Sequence, residues 1–264
     1  MRCVARKEGL FSRKGEPIPS APHIHESLRG YFEKNPDAFL DGELFNYDLR
    51  ESLNEFMKIV RKSVRITEEE FAKSEEQVKF YVYDIGGEVT DYADISNFGH
   101  HDMSEEDYHG RKYYIDTVLP SFSKYIAHVQ DFHFDNEEEL WKIYNTFLDD
   151  GQEGLILRKT DVPYFFKRTK NLIKLKPEDD SEGKIVAVHK GTGNWGDVAK
   201  TVTIEWEGKE FDATLKCNMA EAAKFWEERD QWIGKEGVTF LYHGLTGKGI
   251  PNYAKLDPNN CLKS

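Results

Sequence analysis

The chain has 264 residues, 39% of them apolar and 13% aromatic, so it can bury a core and is too hydrophobic for a mainly disordered protein despite 32% charged residues. No uninterrupted apolar run exceeds four residues, which excludes a membrane-spanning helix. A formal charge of −12 argues against a protein that coats nucleic acid with its whole surface.

In chain order, Arg2–Ala5 and Leu10–Ser12 flank Lys7-Glu-Gly9 and predict a hairpin running into Ser12-Arg-Lys-Gly15. Ile24 to Lys34 reads as a helix stopped by Asn35-Pro36. Phe39-Leu-Asp-Gly-Glu-Leu-Phe45 is strand-like. Apolar spacing at Leu53, Phe56, Met57 and Val60 predicts a helix over Ser52 to Val64. Val78 to Ile85 is strongly β-prone and reads as a central strand. Asp91 to His109 lacks periodicity and reads as a loop. Asn136 and Glu139 form a capping-box pattern before the amphipathic Leu140–Leu148. Gly154–Lys159 and Leu172–Lys176 then read as strands.

Pro177-Glu-Asp-Asp-Ser-Glu-Gly183 is charged and rich in breakers, which places a domain boundary near Pro177. Beyond it, Lys184–His189, Thr201–Trp206, Glu210–Leu215 and Val238–His243 read as strands, with one helix opened by the capping box of Asn218 and Glu221. Four strands and one helix in this space predict a small barrel of the oligonucleotide-binding (OB) type. The expected domains are residues 1–177 and 178–264.

Charge is unevenly placed. Leu155 to Lys176 carries seven basic residues against Asp161 alone, a local +6, and Met1 to Glu16 is +3. Cys3, Cys217 and Cys261 are far apart with no CxxC, so neither disulfides nor a zinc site is expected. No apolar stretch of a signal peptide is visible, and a cytoplasmic location is expected, the host's if the source is viral. His23 and His25, and His100 and His101 beside Asp102, lack a second cluster and read as surface histidines. Trp195, Trp206, Trp226 and Trp232 read as core, and Lys216 as either a solvated side chain or a contact to a DNA backbone.

Some segments carry chemistry. Leu40-Asp-Gly-Glu43 sets a carboxylate past an Asp-Gly step that, alone, reads as a tight turn. In Lys79-Phe-Tyr-Val-Tyr-Asp84, Tyr81 and Tyr83 share one strand face, which alone means core packing. Gln152-Glu-Gly-Leu-Ile-Leu-Arg158 orders an acid, an apolar strand and a base. In Asn171-Leu-Ile-Lys-Leu-Lys-Pro177, Lys174 and Lys176 project from one face. Two such ammonium groups repel unless an anion lies near them, and phosphate supplies one. Glu153 is a hard oxygen ligand for a divalent metal, Tyr83 offers a π-face for adenine, and Glu43 an acceptor for ribose. Together the segments describe a site for a nucleotide polyphosphate with Mg²⁺.

Leu40-Asp-Gly-Glu43, Phe80-Tyr-Val-Tyr-Asp84, Glu153-Gly-Leu-Ile-Leu-Arg158 and Leu172-Ile-Lys-Leu-Lys-Pro177, in this order and before a barrel-like domain, resemble motifs III, IIIa, IV and V of the ATP-dependent DNA ligases, the small bacteriophage type in particular. The resemblance covers nearly the whole chain. It implies an α+β fold, an antiparallel-sheet nucleotidyltransferase (ATP-grasp-like ligase) domain followed by a small OB-fold β-barrel. It implies ATP and Mg²⁺ as cofactors and nicked double-stranded DNA as partner, with no membrane and a monomeric state. By position, Glu43 contacts ribose, Tyr83 stacks on adenine, Glu153 binds metal, and Lys174 and Lys176 hold the α-phosphate. Arg168 in Phe166-Lys-Arg-Thr-Lys170, Arg13 in Ser12-Arg-Lys-Gly15 and Arg2 complete the nucleotide- or nick-phosphate contacts.

Two departures stand against it. The family's Lys-x-Asp-Gly-x-Arg begins the active site with the lysine that becomes linked to AMP, and Met1-Arg2 matches only its last x-Arg. The expectation is therefore a nucleotidyltransferase domain incomplete at its N-terminus, unable to load itself with AMP yet able to complete a pre-adenylated nick. At the C-terminus, Gly249-Ile-Pro-Asn-Tyr-Ala-Lys255 resembles the approach to motif VI, but Leu256-Asp-Pro-Asn-Asn260 replaces its usual Arg-x-Asp-Lys end. The alternatives are an RNA ligase or capping-type nucleotidyltransferase, and a non-catalytic nucleic-acid-binding remnant.

Overall fold

In the computed structural model, residues 1–90 and 101–262 are described. They form two compact units, Met1–Glu137 with Leu157–Ile173, and Glu138–Ile156 with Lys174–Ser264.

In the first unit, β1 (Arg2–Arg6) and β2 (Gly9–Phe11) form the expected hairpin. The single helix expected to Lys34 is instead two, α1 (Pro22–Ser27) and α2 (Arg29–Lys34), because Leu28 sits at φ −92°, ψ 1° and breaks the ladder. Asn35 ends α2 as expected; its buried side chain donates to Tyr31 O and accepts from Thr90 N. β3 (Phe39–Phe45) is the expected strand and runs through Asp41-Gly42 without the tight turn that the Asp-Gly step alone suggests. Gly42 serves close approach instead, since a Cβ there would lie 2.3 Å from Tyr81 O beside a bulge in the ladder.

A 3₁₀ turn over Tyr47–Ser52 leads into α3 (Leu53–Val60), shorter than the helix expected to Val64. A further helix, α4 (Glu68–Gln77), follows a Thr67–Glu70 capping box. β4 (Lys79–Gly86) lies inside the sheet as expected. β5 (Glu88–Val89) pairs with β6 (His101–Asp102), and α5 (Tyr108–Thr117) is capped by Asp107, which accepts from Gly110 N. The expected loop is thus partly strand and helix, and its residues 91–100 lie outside the described residues. With β7 (Ile126–His128) the sheet order is β2-β1-β3-β4-β7. The expected antiparallel sheet holds except at β4–β7, which is parallel. Ile24, Leu28, Tyr31, Leu40, Phe80 and Ile85 are fully buried in its core.

The chain then forms α6 (Glu137–Asp149), β8 (Leu155–Arg158) and β9 (Leu172–Leu175), the last two making a two-stranded sheet. In the second unit, β10 (Asp179–Lys190) starts inside the stretch read as a charged break. Asp179–Gly183 pairs antiparallel with Tyr242–Val238, with the acidic side chains Asp179, Asp180 and Glu182 left exposed. β11 (Ala199–Trp206), β12 (Lys209–Leu215), α7 (Met219–Glu227), α8 (Arg229–Trp232), β13 (Val238–Tyr242) and β14 (Lys255–Leu256) follow. The Asn218–Glu221 capping box opens α7 as expected. The strands close into a barrel in the order β10-β11-β12-β14-β13, with β14, which periodicity had not marked, between β12 and β13.

Ile185, Val202, Ile204, Phe240 and Leu256 fill this barrel, and Trp206, Trp226 and Trp232 pack against that core. Trp195 does not; it lies half-buried under the Lys200 ammonium, 4.0 Å from its ring. All three cysteines are free thiols, and burial pushes Cys3 up to about 12. Among the described residues, no helix is long and apolar enough to cross a membrane.

Candidate active site

Asp41 is the polar centre of the first unit's sheet. It is 2% exposed, so its charge has to be met by protein groups. Arg2 on β1 meets it at two points, Nε to Oδ1 at 3.0 Å and Nη2 to Oδ2 at 2.6 Å. Tyr164 donates to Oδ2 at 2.8 Å and Tyr83 to Oδ1 at 3.4 Å. The hydrogen bond to Asp41 holds the proton of Arg2 more tightly than usual, and burial together with the Asp41 charge pushes Tyr83 and Tyr164 well above the ordinary phenol range. Both tyrosines therefore stay donors. Two nitrogens of Arg2 are committed, leaving its Nη1 side for a further acceptor. Tyr83 is partly buried, and no aromatic ring packs on it among the described residues.

Asp84, opposite Asp41 in the β3–β4 register, is held in the same way. Arg111 of α5, itself 2% exposed, donates from Nε to Asp84 Oδ1 at 2.6 Å and from Nη1 to Val162 O at 3.1 Å. Arg158 donates to the other carboxylate oxygen and lies with its guanidinium 4.0 Å over the Tyr108 ring. Asp41, Asp84 and Arg158 stand in the motif segments without a role implied by the resemblance, and Tyr108, Arg111 and Tyr164 lie outside those segments. The available signal was an acid in each of two apolar strand runs. Such acids demand partners, but those partners come from distant segments that spacing does not reveal.

Glu43 lies in register with Arg2 across β1–β3 and is half-exposed, its carboxylate 2.8 Å from the Met1 amino nitrogen. Arg13 is exposed on a turn closed by Gly15 N to Ser12 O at 2.9 Å. Arg168 is exposed on the loop between β8 and β9. Neither of these two arginines has an ion-pair partner among the described residues.

In the second unit, Lys176 donates to Glu153 Oε2 at 2.5 Å, so two of the three groups expected at a phosphate site are in direct contact. Glycine makes this approach possible. Gly154 has φ +131°, and a Cβ there would lie 2.1 Å from Leu175 O. Lys174 is exposed and carries no ion pair among the described residues. The Glu153 carboxylate is 78% exposed and has this one ion-pair partner among the described residues. The expected metal fits such a donor set in one way, with a single carboxylate completed by substrate phosphate oxygens and water, as Mg²⁺ prefers. No cluster of three or more His, Cys, Asp or Glu side chains suited to a metal occurs among the described residues, the histidines included.

Nearby, Lys255 donates to Glu178 Oε1 at 3.0 Å and lowers its pKa, while His243 Nδ1 lies 2.7 Å from Pro177 O. The barrel thereby holds the residues that follow Lys176.

Comparison with known proteins bears on the family and the fold. A family model described as an ATP dependent DNA ligase domain matches residues 5–176. A DNA ligase of Haemophilus influenzae is 25% identical over 247 residues, which are 93% of this chain and 78% of that protein. Among solved structures, a Lig E DNA ligase, studied for DNA binding with a minimal scaffold, superposes with a TM-score of 0.68 at 21% identity, covering 97% of this chain and 87% of that one. The ATP-dependent DNA ligase of bacteriophage T7, complexed with ATP, superposes with a TM-score of 0.51 at 16% identity, covering 97% and 87%. The shared fold is a nucleotidyltransferase domain followed by an OB barrel.

Proposed function

Since this chain belongs to the ATP-dependent DNA ligase family and its activity is the ATP-driven joining of DNA, we propose that it seals nicks in duplex DNA through an adenylated 5′-phosphate, using the residues above. The reading rests on the contact of Lys176 with Glu153 at the glycine-opened start of β8.

In the sealing step, the 3′-hydroxyl oxygen bonds to the 5′-phosphorus as the phosphoanhydride bond to AMP breaks. AMP leaves with the bond's electrons, and the hydroxyl proton passes to solvent. Negative charge gathers on one phosphate, and Lys174 and Lys176 lie against its oxygens; cations fixed in advance lower such a barrier. The ion pair with Glu153 orients Lys176 before substrate arrives. Tyr83 gives its ring face to adenine, and Glu43 accepts from the ribose. Arg13, Arg168 and the free side of Arg2 take phosphates of nucleotide or nick. Glu153 would also hold Mg²⁺, which, when bound, neutralises phosphate charge.

The DNA is gripped by its phosphates, hence without sequence preference and with strong sensitivity to salt. The protein acts as a monomer in the cytoplasm, with its two domains spanning 1–177 and 178–264. The test is a nick whose 5′-phosphate already carries AMP, incubated with the protein and Mg²⁺ without ATP. Joined strand with release of AMP is expected, and no joined product at saturating protein overturns the proposal.

A further inference from the structure

Resting on that reading, we propose that the loop between β8 and β9 is a second DNA contact, in which Phe166 stacks on a base exposed at the nick while Lys167 and Lys170 bind the flanking phosphates.

From Val162 to Leu172 the loop contains no acidic residue, three basic ones and three aromatic ones. Its stem is fixed. Tyr164 N donates to Ser104 O at 2.9 Å, the Tyr164 hydroxyl to Asp41 at 2.8 Å, and Arg111 to Val162 O at 3.1 Å. Its tip is open. Phe165 is 41% exposed and Phe166 71%. Lys167, Arg168 and Lys170 are exposed and have no ion-pair partner among the described residues.

The Phe166 ring is nonetheless not adrift. Its centroid lies 5.1 Å from Tyr164 and 5.5 Å from Phe39, and the Arg6 guanidinium lies 5.8 Å from the Phe39 centroid. One side of the ring is seated on a rigid aromatic base, and the other faces water. A ring held in this way, followed in the chain by unpaired cations, is the arrangement that single-stranded or unstacked nucleic acid uses, aromatic face to base and ammonium to phosphate. An acidic protein surface matches the charges but supplies no planar group for the ring. At a nick the backbone is broken, so a flanking base unstacks at lower cost than within intact duplex. Because Tyr164 also bonds Asp41, a base seated on Phe166 would bear on the same network that holds Arg2 and Tyr83.

The experiment measures binding of the full chain to nicked and intact duplex by fluorescence anisotropy across a salt series, with 2-aminopurine beside the nick. F166A is expected to weaken nicked-duplex binding about tenfold, to change intact-duplex binding less than about twofold, and to leave the salt slope unchanged. F166W is expected to bind as the parent does. K167A/K170A is expected to weaken both duplexes and to lower the slope of log K against log salt by about 2. Parent protein is expected to change the 2-aminopurine emission on binding the nick and F166A not to.

Equal nicked-duplex binding by F166A and parent overturns the proposal, as does an unchanged 2-aminopurine signal with parent protein, which does not depend on the variant folding. Binding that follows the proposal without any joining would sink the sealing reading alone. Joining with an indifferent Phe166 would sink only this one.

Discussion

Arg2 and Asp41 meet diagonally across neighbouring strands as a two-point ion pair, closed at 3.0 and 2.6 Å, with the carboxylate buried and the guanidinium 43% exposed. The asymmetry of burial decides which partner is costlier to lose. Arg2→Ala leaves an ionised carboxylate inside the sheet with only two phenol donors, and a loss of about 3 kcal/mol is expected. Asp41→Asn leaves a guanidinium that water can reach, and about 1 kcal/mol is expected. Urea unfolding of the two variants checks the order, and equal losses would contradict it.

The tyrosines around this carboxylate give the protein an alkaline limit. Tyr83 and Tyr164 are pushed up by burial first and by the Asp41 charge second, and Tyr108, whose hydroxyl donates to Asp131, is pushed up by burial against the opposing charge of Arg158. A group whose folded pKa exceeds its unfolded one contributes stability below the unfolded value, about 10 for tyrosine, and loses it as pH rises further. The tyrosines' contribution to stability is therefore expected to be flat up to about pH 10 and to fall beyond it, after an earlier decline from about pH 9 set by the buried Cys3 thiol. Tyrosinate absorbance at about pH 11 should lack these side chains until the protein unfolds. Tyr83→Phe and Tyr164→Phe should each reduce the steepness of the decline.

Glu153 and Lys176 separate chemistry from stability. Their ion pair is largely exposed, so Glu153→Gln and Lys176→Ala should each change unfolding free energy by less than about 1 kcal/mol. Sealing of a pre-adenylated nick should nevertheless slow about 10²- to 10³-fold in single-turnover assays. Unchanged sealing in both variants would remove the pair from the site.

Gly154→Ala tests the close approach itself. The added methyl meets Leu175 O at 2.1 Å on a backbone at φ +131°, so the start of β8 has to move from the end of β9. A loss of more than about 1 kcal/mol is expected, with sealing slowed at least as much as in Lys176→Ala. Retention of full sealing would mean that the approach does not position Lys176.

Strands with strong β-formers were legible from sequence, as β3, β4 and the barrel strands demonstrate. α4 was not, because Glu-Glu-Glu-Phe-Ala-Lys-Ser-Glu-Glu-Gln has almost no apolar stripe; its Thr67–Glu70 cap was the readable sign. α5 was missed for a related reason, since it buries Arg111 where a periodic apolar residue would be sought. The acidic run at Asp179–Glu182 imitates a linker because its charges point outward from a barrel strand. The motif residues Glu43, Tyr83, Glu153, Lys174 and Lys176 were individually nameable. The buried pairs of Asp41 with Arg2 and Asp84 with Arg111 were not, since partners that meet only after folding leave no local spacing to detect.

The two sheets also differ in how they end. The barrel closes on itself through β14, and the open sheet stops at β2 and β7, each three residues long. A foreign strand thus finds no rim in the barrel and only brief ones in the open sheet and in the β5–β6 and β8–β9 pairs, whose strands are two and four residues long, too short a template for chain-to-chain zippering. Stocks concentrated for crystallisation should accordingly resist fibre formation, even where the apolar tip near Phe166 meets water.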